Sequence, residues 1–378
     1  MLYTRPDYFK KFKCTADKCE ATCCAGWQIV IDDASLERYE KEQSAYGDVL
    51  RERIDWAEGV FKQDSCKRCA FLNPDNLCDM YKHLGEESLC MTCTNYPRHI
   101  EEFENIREIT LAISCPEVAH IILNQKTPVT FLEEEAESEE EEFEDFDPFF
   151  FSYLEDARKI LLKLLQNRAW SVFVRFALAK RFAEEMQEII ENTELFELVD
   201  VFEKYEDASY LANAARVLEK DCSAFYKNAG EAFSYSKAMF GRLYELEHLS
   251  DDWDDYLEQC WETLYQGGAE AYVTKHLGFA EWCTDNLAKA ELELDIIMEQ
   301  LLVYFIFTYL CGAVYDYNVL GKVDMSLTSV YNIYEMLIAK WTEQGQKLSM
   351  KDIERVVYRY SRELEHSDMN LERMENMG

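Results

Sequence analysis

A chain of 378 residues with 48% hydrophobic content can bury a large core and exceeds what one domain usually holds, so two or three structural units are expected. Its formal net charge of -35, from 74 Asp plus Glu against 39 Lys plus Arg, excludes ordinary binding to nucleic acid and to anionic membrane surfaces, which need cationic side chains. Basic partners remain open, and the charge keeps the surface solvated.

The N-terminus runs from Met1 through Lys10, Lys11 and Lys13 without the apolar stretch of a secretory signal, so a reducing, cytoplasmic location is expected. Ten of the fourteen cysteines follow within 115 residues: Cys14, Cys19, Cys23, Cys24, Cys66, Cys69, Cys78, Cys90, Cys93 and Cys115. Sulfur at this density staples loops as disulfides, holds zinc or carries an iron–sulfur cluster, and a reducing compartment favours metal. Cys66-x-x-Cys69 and Cys90-x-x-Cys93 each put two sulfurs on one tight turn, a strong signal for zinc or iron–sulfur ligation when two such pairs occur in sequence. Cys23 and Cys24 are neighbours whose side chains diverge in extended backbone, so they are not expected to bind one iron together.

Between the cysteines the elements are short. Trp27–Asp32 reads as a brief strand, and Asp33 or Ser35 as the cap of a helix starting at Leu36. With so little periodicity, the segment needs bound metal to fix it. Tyr96-Pro97-Arg98, directly after Cys93, puts a guanidinium where it would grip a carboxylate of a donor or substrate, which makes Tyr96 and Arg98 candidate cofactor-binding residues. His83, His99 and His120 lack the spacing of a zinc finger and read as exposed polar residues.

The acidic run Glu133–Asp145 cannot pack on itself and is expected to be a mobile linker. Beyond it the chain has no proline, since all six lie in the first 148 residues, and apolar residues recur at helical spacing, as in Leu154, Ala157, Ile160, Leu161 and Leu164. Glycines punctuate this stretch into roughly eight expected helices. Leu301–Tyr315 falls short of a bilayer span and reads as a buried core helix, while Cys222, Cys260, Cys283 and Cys311 read as inert core residues. The expected fold class is mainly α: a cysteine-rich metal-binding domain over 1–130, an acidic linker over 131–148 and an all-helical domain over 149–378.

Cys14 with Cys19-x-x-x-Cys23-Cys24-Ala25-Gly26-Trp27, then Cys69-Ala70-Phe71-Leu72, Leu77-Cys78-Asp79-Met80-Tyr81, and Leu84 through Cys90-Met91-Thr92-Cys93 to Tyr96-Pro97-Arg98 resemble the flagellin lysine-N-methylase family. The resemblance covers roughly the first 120 residues and is specific in its order of motifs. It implies a cytoplasmic enzyme that methylates flagellin lysines with S-adenosylmethionine and binds a [4Fe-4S] cluster. Cys19, Cys23, Cys24, Cys69, Cys78, Cys90 and Cys93 are the candidate ligands. No Gly-x-Gly-x-x-Gly turn opens a nucleotide site, and Gly26 takes the place of the third cysteine of the radical S-adenosylmethionine triplet begun by Cys19-x-x-x-Cys23. The runner-up is a non-catalytic zinc- or iron-binding protein whose helical domain docks a partner.

Overall fold

The computed structural model describes residues 1–138, 141–290 and 293–377, with the backbone alone for residue 223 and for 285–290. It is mainly helical, with one mixed sheet near the N-terminus. The strands are β1 (Leu2–Pro6), β2 (Ile54–Asp55), β3 (Val60–Phe61), β4 (Arg98–Phe103), β5 (Ile106–Leu111) and β6 (Phe131–Glu135). Four of them form a sheet in the order β4-β5-β1-β6, in which β1 runs parallel to β5 and antiparallel to β6. The chain therefore leaves the sheet after β1, builds the cysteine-rich unit, and returns through the β4–β5 hairpin.

That excursion has its own small core of Ile29, Ile31, Tyr39, Leu50, Ile54, Phe61, Cys69, Phe71, Met80 and Cys90. Its helices are α1 (Asp33–Glu40), α2 (Gly47–Arg53), α3 (Asp79–Leu84) and α4 (Met91–Asn95). Trp27–Asp32 does not form the expected strand: only Ile29–Ile31 is laddered, against Gly59–Phe61, which is enough to bury Ile29 and Ile31 and expose Val30. The cap of α1 is Asp32, whose Oδ1 accepts from Ser35 N at 2.9 Å, one residue before the expected Asp33.

The expected division at 131–148 does not separate two cores. Tyr8, Phe103, Leu111, Ile113, Val118 and Val129 pack into one core with the helices beyond Pro148, so the sheet and α5 (Pro116–Leu123) belong to the larger unit. Nor does the acidic run begin as a mobile linker. Its first glutamates form the edge strand β6, paired with β1 from Leu2↔Glu135 to Pro6↔Phe131. Arg5 meets Glu134 at 3.2 Å, and Arg107 binds both Glu102 and Glu141, so basic side chains neutralise part of the run and the rest leaves a charged edge that resists further pairing. Glu139 and Glu140 lie outside the described residues.

Beyond Pro148 come α6 (Pro148–Leu165), α7 (Val172–Glu191), α8 (Leu198–Glu206), α9 (Ala208–Phe225), α10 (Ala229–Gly241), α11 (Trp253–Tyr265), α12 (Gly268–Ala290), α13 (Leu294–Tyr309), α14 (Val319–Glu343), α15 (Met350–Glu365) and α16 (Asp368–Glu375). The described residues thus hold eleven helices here instead of eight. Glycine punctuates only part of this stretch: the Gly267-Gly268 pair and Gly345 do stand at helix ends, but Gly278 and Gly321 lie inside helices, and side-chain caps at Asp207, Asn228, Asn318, Ser349 and Ser367 set other starts. Ser349 and Asp352 form a full capping box. The apolar segment Leu294–Val314 is long enough for a membrane span, but 89% of its most apolar window is buried inside the protein, and it serves as the central core helix.

Within that core, Glu299 of α13 is fully buried, with Oε2 2.6 Å from Arg175 Nη1 and Oε1 2.8 Å from Arg168 Nη2. This clamp ties α13 to α7. Because removing one partner strands buried charge, Glu299→Ala is expected to lower the unfolding free energy by about 3–5 kcal/mol, read from the urea midpoint. A loss within about 0.5 kcal/mol would show that the clamp carries no weight.

Candidate metal centre

Tight turns bring the early thiols together. Cys69 N donates to Cys24 O at 2.8 Å, and a hairpin then faces Leu72 with Cys78, so Cys24, Cys69 and Cys78 come from adjoining backbone. Cys90 caps α4 and Cys93 lies in its first turn; Asp32 Oδ2 accepts from Met91 N at 2.8 Å and Val30 O accepts from Thr92 Oγ1 at 2.8 Å, which pins this turn against the same ladder. Electrostatic coupling joins Cys24, Cys69, Cys78, Cys90 and Cys93 into one group. Cys14, Cys19, Cys23 and Cys115 form a second, linked to the first through the Cys23–Cys24 pair.

Three features depart from the sequence reading. Cys23 and Cys24 lie in a turn instead of extended backbone, so the alternation expected to send their side chains apart does not apply, and each thiol shifts the other's titration. Cys66 is exposed at a turn, with its amide on Asp64 Oδ1, while Cys69 is buried, so the Cys66-x-x-Cys69 pair faces two ways. Tyr96 and Arg98 also part company. Tyr96 packs inward on Trp27 and His366, whereas exposed Arg98 donates to Thr94 O at 3.5 Å and lies over the Phe12 ring.

The thiols are chemically unequal. The neighbouring Cys23 thiol brings Cys24 down to about 7, and that of Cys93 brings Cys90 down to about 7, while Cys23 and Cys93 are themselves pushed up. Burial pushes Cys69 up to about 12 and Cys115 up to about 11. All fourteen cysteines are free thiols. Among the described residues no three Cys, His, Asp or Glu side chains are gathered tightly enough to enclose a single metal ion. The donor set is therefore a group of soft sulfur ligands on neighbouring turns of one small unit, two of them, Cys69 and Cys90, within its core.

The second thiol group lies at the seam between the units. Trp27 donates to Cys23 O at 2.7 Å, and its ring lies 4.9 Å from that of His366, just past α15. Ser114 Oγ is 3.0 Å from His366 Nε2 and 3.2 Å from Tyr96 Oη, and Arg362 donates to Ser114 O at 3.0 Å and Ala21 O at 2.6 Å. His366 and Arg362 carried no local signal, being more than 300 residues from Trp27. Burial, with the Arg362 charge beside it, pulls His366 down from 6.5 to about 4. The unfolded chain takes up this proton as pH falls through about 6.5, while the folded chain resists until near 4, so the associated stability is intact above the unfolded value and drains between the two. Unfolding free energies are expected to fall between pH 7 and 4.5 by about 2–3 kcal/mol less in His366→Gln than in the wild type. An equal fall in both would contradict a buried neutral imidazole.

No solved structure matches the chain. It is similar over 130 residues to the lysine-N-methylase of Salmonella choleraesuis (29% identical) and that of Salmonella typhimurium (28% identical), covering 32% of this chain and 32% of each relative. It is also 29% identical over 130 residues to the flagellar biosynthetic protein FliU of Salmonella muenchen, covering 32% of this chain and 76% of that one. The match thus spans about a third of the length of the lysine-N-methylases. The FliB lysine N-methylase C-terminal domain model matches residues 158–377, more than half of the chain, across the helical unit. On that match, the chain belongs to the FliB lysine N-methylase family.

Proposed function

We propose that this protein is a cytoplasmic, S-adenosylmethionine-dependent protein lysine N-methyltransferase acting on flagellin, with a [4Fe-4S] cluster held by its N-terminal thiols. The observation that carries the reading is family membership through the helical unit; the relatives' names, lysine-N-methylase and a flagellar biosynthetic protein, point to the reaction and the substrate. The excess of carboxylates favours approach of a lysine-bearing partner.

The all-thiol donor set suits a cluster, which cysteine thiolates hold. A single zinc ion draws four ligands to about 2.3 Å, whereas a cluster brings its own sulfide and spreads its cysteines. Cys24, Cys69, Cys78, Cys90 and Cys93 supply the donors, and Cys24 and Cys90, already eased toward thiolate, are the readiest to lose their protons. When bound, the cluster supplies a redox-active, Lewis-acidic centre and ties together loops that a small apolar core holds only weakly. Trp27, Tyr96 and His366 pack together at the seam, where Trp27 also bonds Cys23 O.

The methyl donor needs a different place from that of nucleotides in doubly wound folds, because the sheet here is small, mixed and has no glycine-rich turn. A recess of about 520 Å³ between α7, α9, α10 and α14 has the right size and chemistry. Its aromatic walls suit an adenine ring and a sulfonium, Asp221 suits ribose hydroxyls or the amino group, and Arg242 suits the carboxylate. Incubation of anaerobically purified protein with flagellin and methyl-labelled S-adenosylmethionine is expected to label lysine, and Cys69→Ala with Cys90→Ala to abolish transfer. Absence of label from lysine in the wild type would contradict the assignment.

A further inference from the structure

Behind one wall of the recess lies a chain of buried polar groups that the packing of a helical bundle does not require. Tyr331 lines the recess. Its hydroxyl is 3.3 Å from that of Tyr272, which donates to Glu335 Oε1 at 2.9 Å, and the same oxygen lies 2.9 Å from His276 Nε2. Tyr272, Glu335 and His276 are buried to 1% exposure or less. His276 Nδ1 faces Tyr272 O at 2.9 Å and so carries its hydrogen, which leaves Nε2 and Glu335 Oε1 sharing one proton. Glu335 Oε2 is buried without a hydrogen-bond partner. A buried carboxylate with a vacant oxygen costs stability, and here it stands at the end of a hydroxyl chain that opens into a recess.

The recess itself favours organic cations. Phe173, Phe176, Phe225, Tyr226 and Tyr235 present ring faces or edges around it, and ring faces attract ammonium groups, as Lys237 already shows over Phe233 and Trp261 at 5.6 and 5.2 Å. At the rim the charges balance: Lys180 is held by both oxygens of Asp324 at 2.7 and 2.8 Å, and Asp221 offsets Arg242. Selection for a cation therefore falls to the rings and to Glu335 behind Tyr331.

We infer that the inner end of this recess takes the alkylammonium of the substrate lysine, and that Tyr331 and Tyr272 pass its proton to the Glu335–His276 pair. This rests on the methyltransferase reading above and gives that reaction its base. As the ammonium N–H bond breaks, its electron pair stays on nitrogen; the proton goes to Tyr331 Oη, Tyr331's own proton to Tyr272, and Tyr272's to Glu335. The Glu335–His276 pair gains the unit of positive charge that the amine loses. The neutral amine then forms its bond to the methyl carbon while the S–CH3 electron pair returns to the donor's sulfur, leaving a thioether. Tyr331 touches the substrate; Glu335 and His276 act through it.

The test uses the full chain with n-pentylammonium as probe and n-pentanol as its neutral counterpart, followed by saturation-transfer NMR, alongside flagellin methylation kinetics. Pentylammonium is expected to bind more tightly than pentanol, and Ala177→Trp, which fills the recess from α7, to weaken that binding at least about tenfold. Tyr331→Phe keeps the ring and removes only the relay; it is expected to leave pentylammonium binding and KM within about threefold while lowering kcat about a hundredfold. Undiminished pentylammonium binding in Ala177→Trp, or an unchanged kcat in Tyr331→Phe, overturns the inference. The binding arm needs no catalysis. A chain that captures pentylammonium in the recess yet methylates no lysine sinks the methyltransferase reading while the cation site stands; a chain that methylates flagellin unimpaired by Ala177→Trp sinks the cation site and the placing of the donor in this recess, while the methyltransferase reading stands.

Discussion

Five thiols, those of Cys24, Cys69, Cys78, Cys90 and Cys93, crowd a unit whose own apolar core is ten buried residues, two of them cysteines. So small a core cannot by itself offset the conformational entropy of ordering some seventy residues of turns and short helices. The loops are set by hydrogen bonds between chain segments that each end on a cysteine: Cys24 with Cys69, Leu72 facing Cys78, and Val30 and Asp32 with the turn of Cys90. A ligand that ties these sulfurs together would therefore contribute directly to the unit's stability, and its loss would be felt as unfolding. Everything proposed for the N-terminal half depends on that shared use of sulfur as scaffold and site.

The unit is anchored at both ends by the larger core. Its chain leaves through β1 and returns through the β4–β5 hairpin, whose β5 pairs with β1 on one side while β6 pairs with it on the other, so the excursion is closed by a sheet that shares the core of the helices. Glu108 of β5 pairs with buried Arg158 of α6, and Trp27, Tyr96, His366 and Arg362 close the seam beside the second thiol group. Lys67, in the loop just before Cys69, reaches Leu249 O at 2.5 Å and Asp251 at 3.1 Å at the start of α11. The two halves of the proposed enzyme, thiol group and helical recess, are thus parts of one packed assembly.

How much of this was legible in sequence follows from the range of each interaction. Helical content after Pro148 was readable from proline absence and apolar periodicity, and the burial of the segment from Leu301 as far as Val314 from its charged flanks, because both are local properties; Tyr315 at its end is exposed. The thiol grouping was readable as a density, but its partition was not. The pairing of Cys23 with Cys24 depends on a local turn, and the separation of Cys66 from Cys69 depends on which side of a hairpin faces the core. The sheet was missed because β1 finds β5 a hundred residues away, and β6 is written in glutamates that strand propensity disfavours. The Tyr331–Tyr272–Glu335–His276 chain was hidden for the same reason: two helices some sixty residues apart contribute two members each. The family motifs seen early in the chain and the family model that matches the helical unit complement one another.

The central claim, that the early sulfurs surround inorganic iron, is tested most directly by elemental analysis and absorption spectroscopy of the protein purified without oxygen. The account predicts about four iron and four sulfide per chain, with a brown colour and absorption near roughly 400 nm. A colourless protein with zinc alone, or one whose early cysteines are joined as cystines, would contradict it.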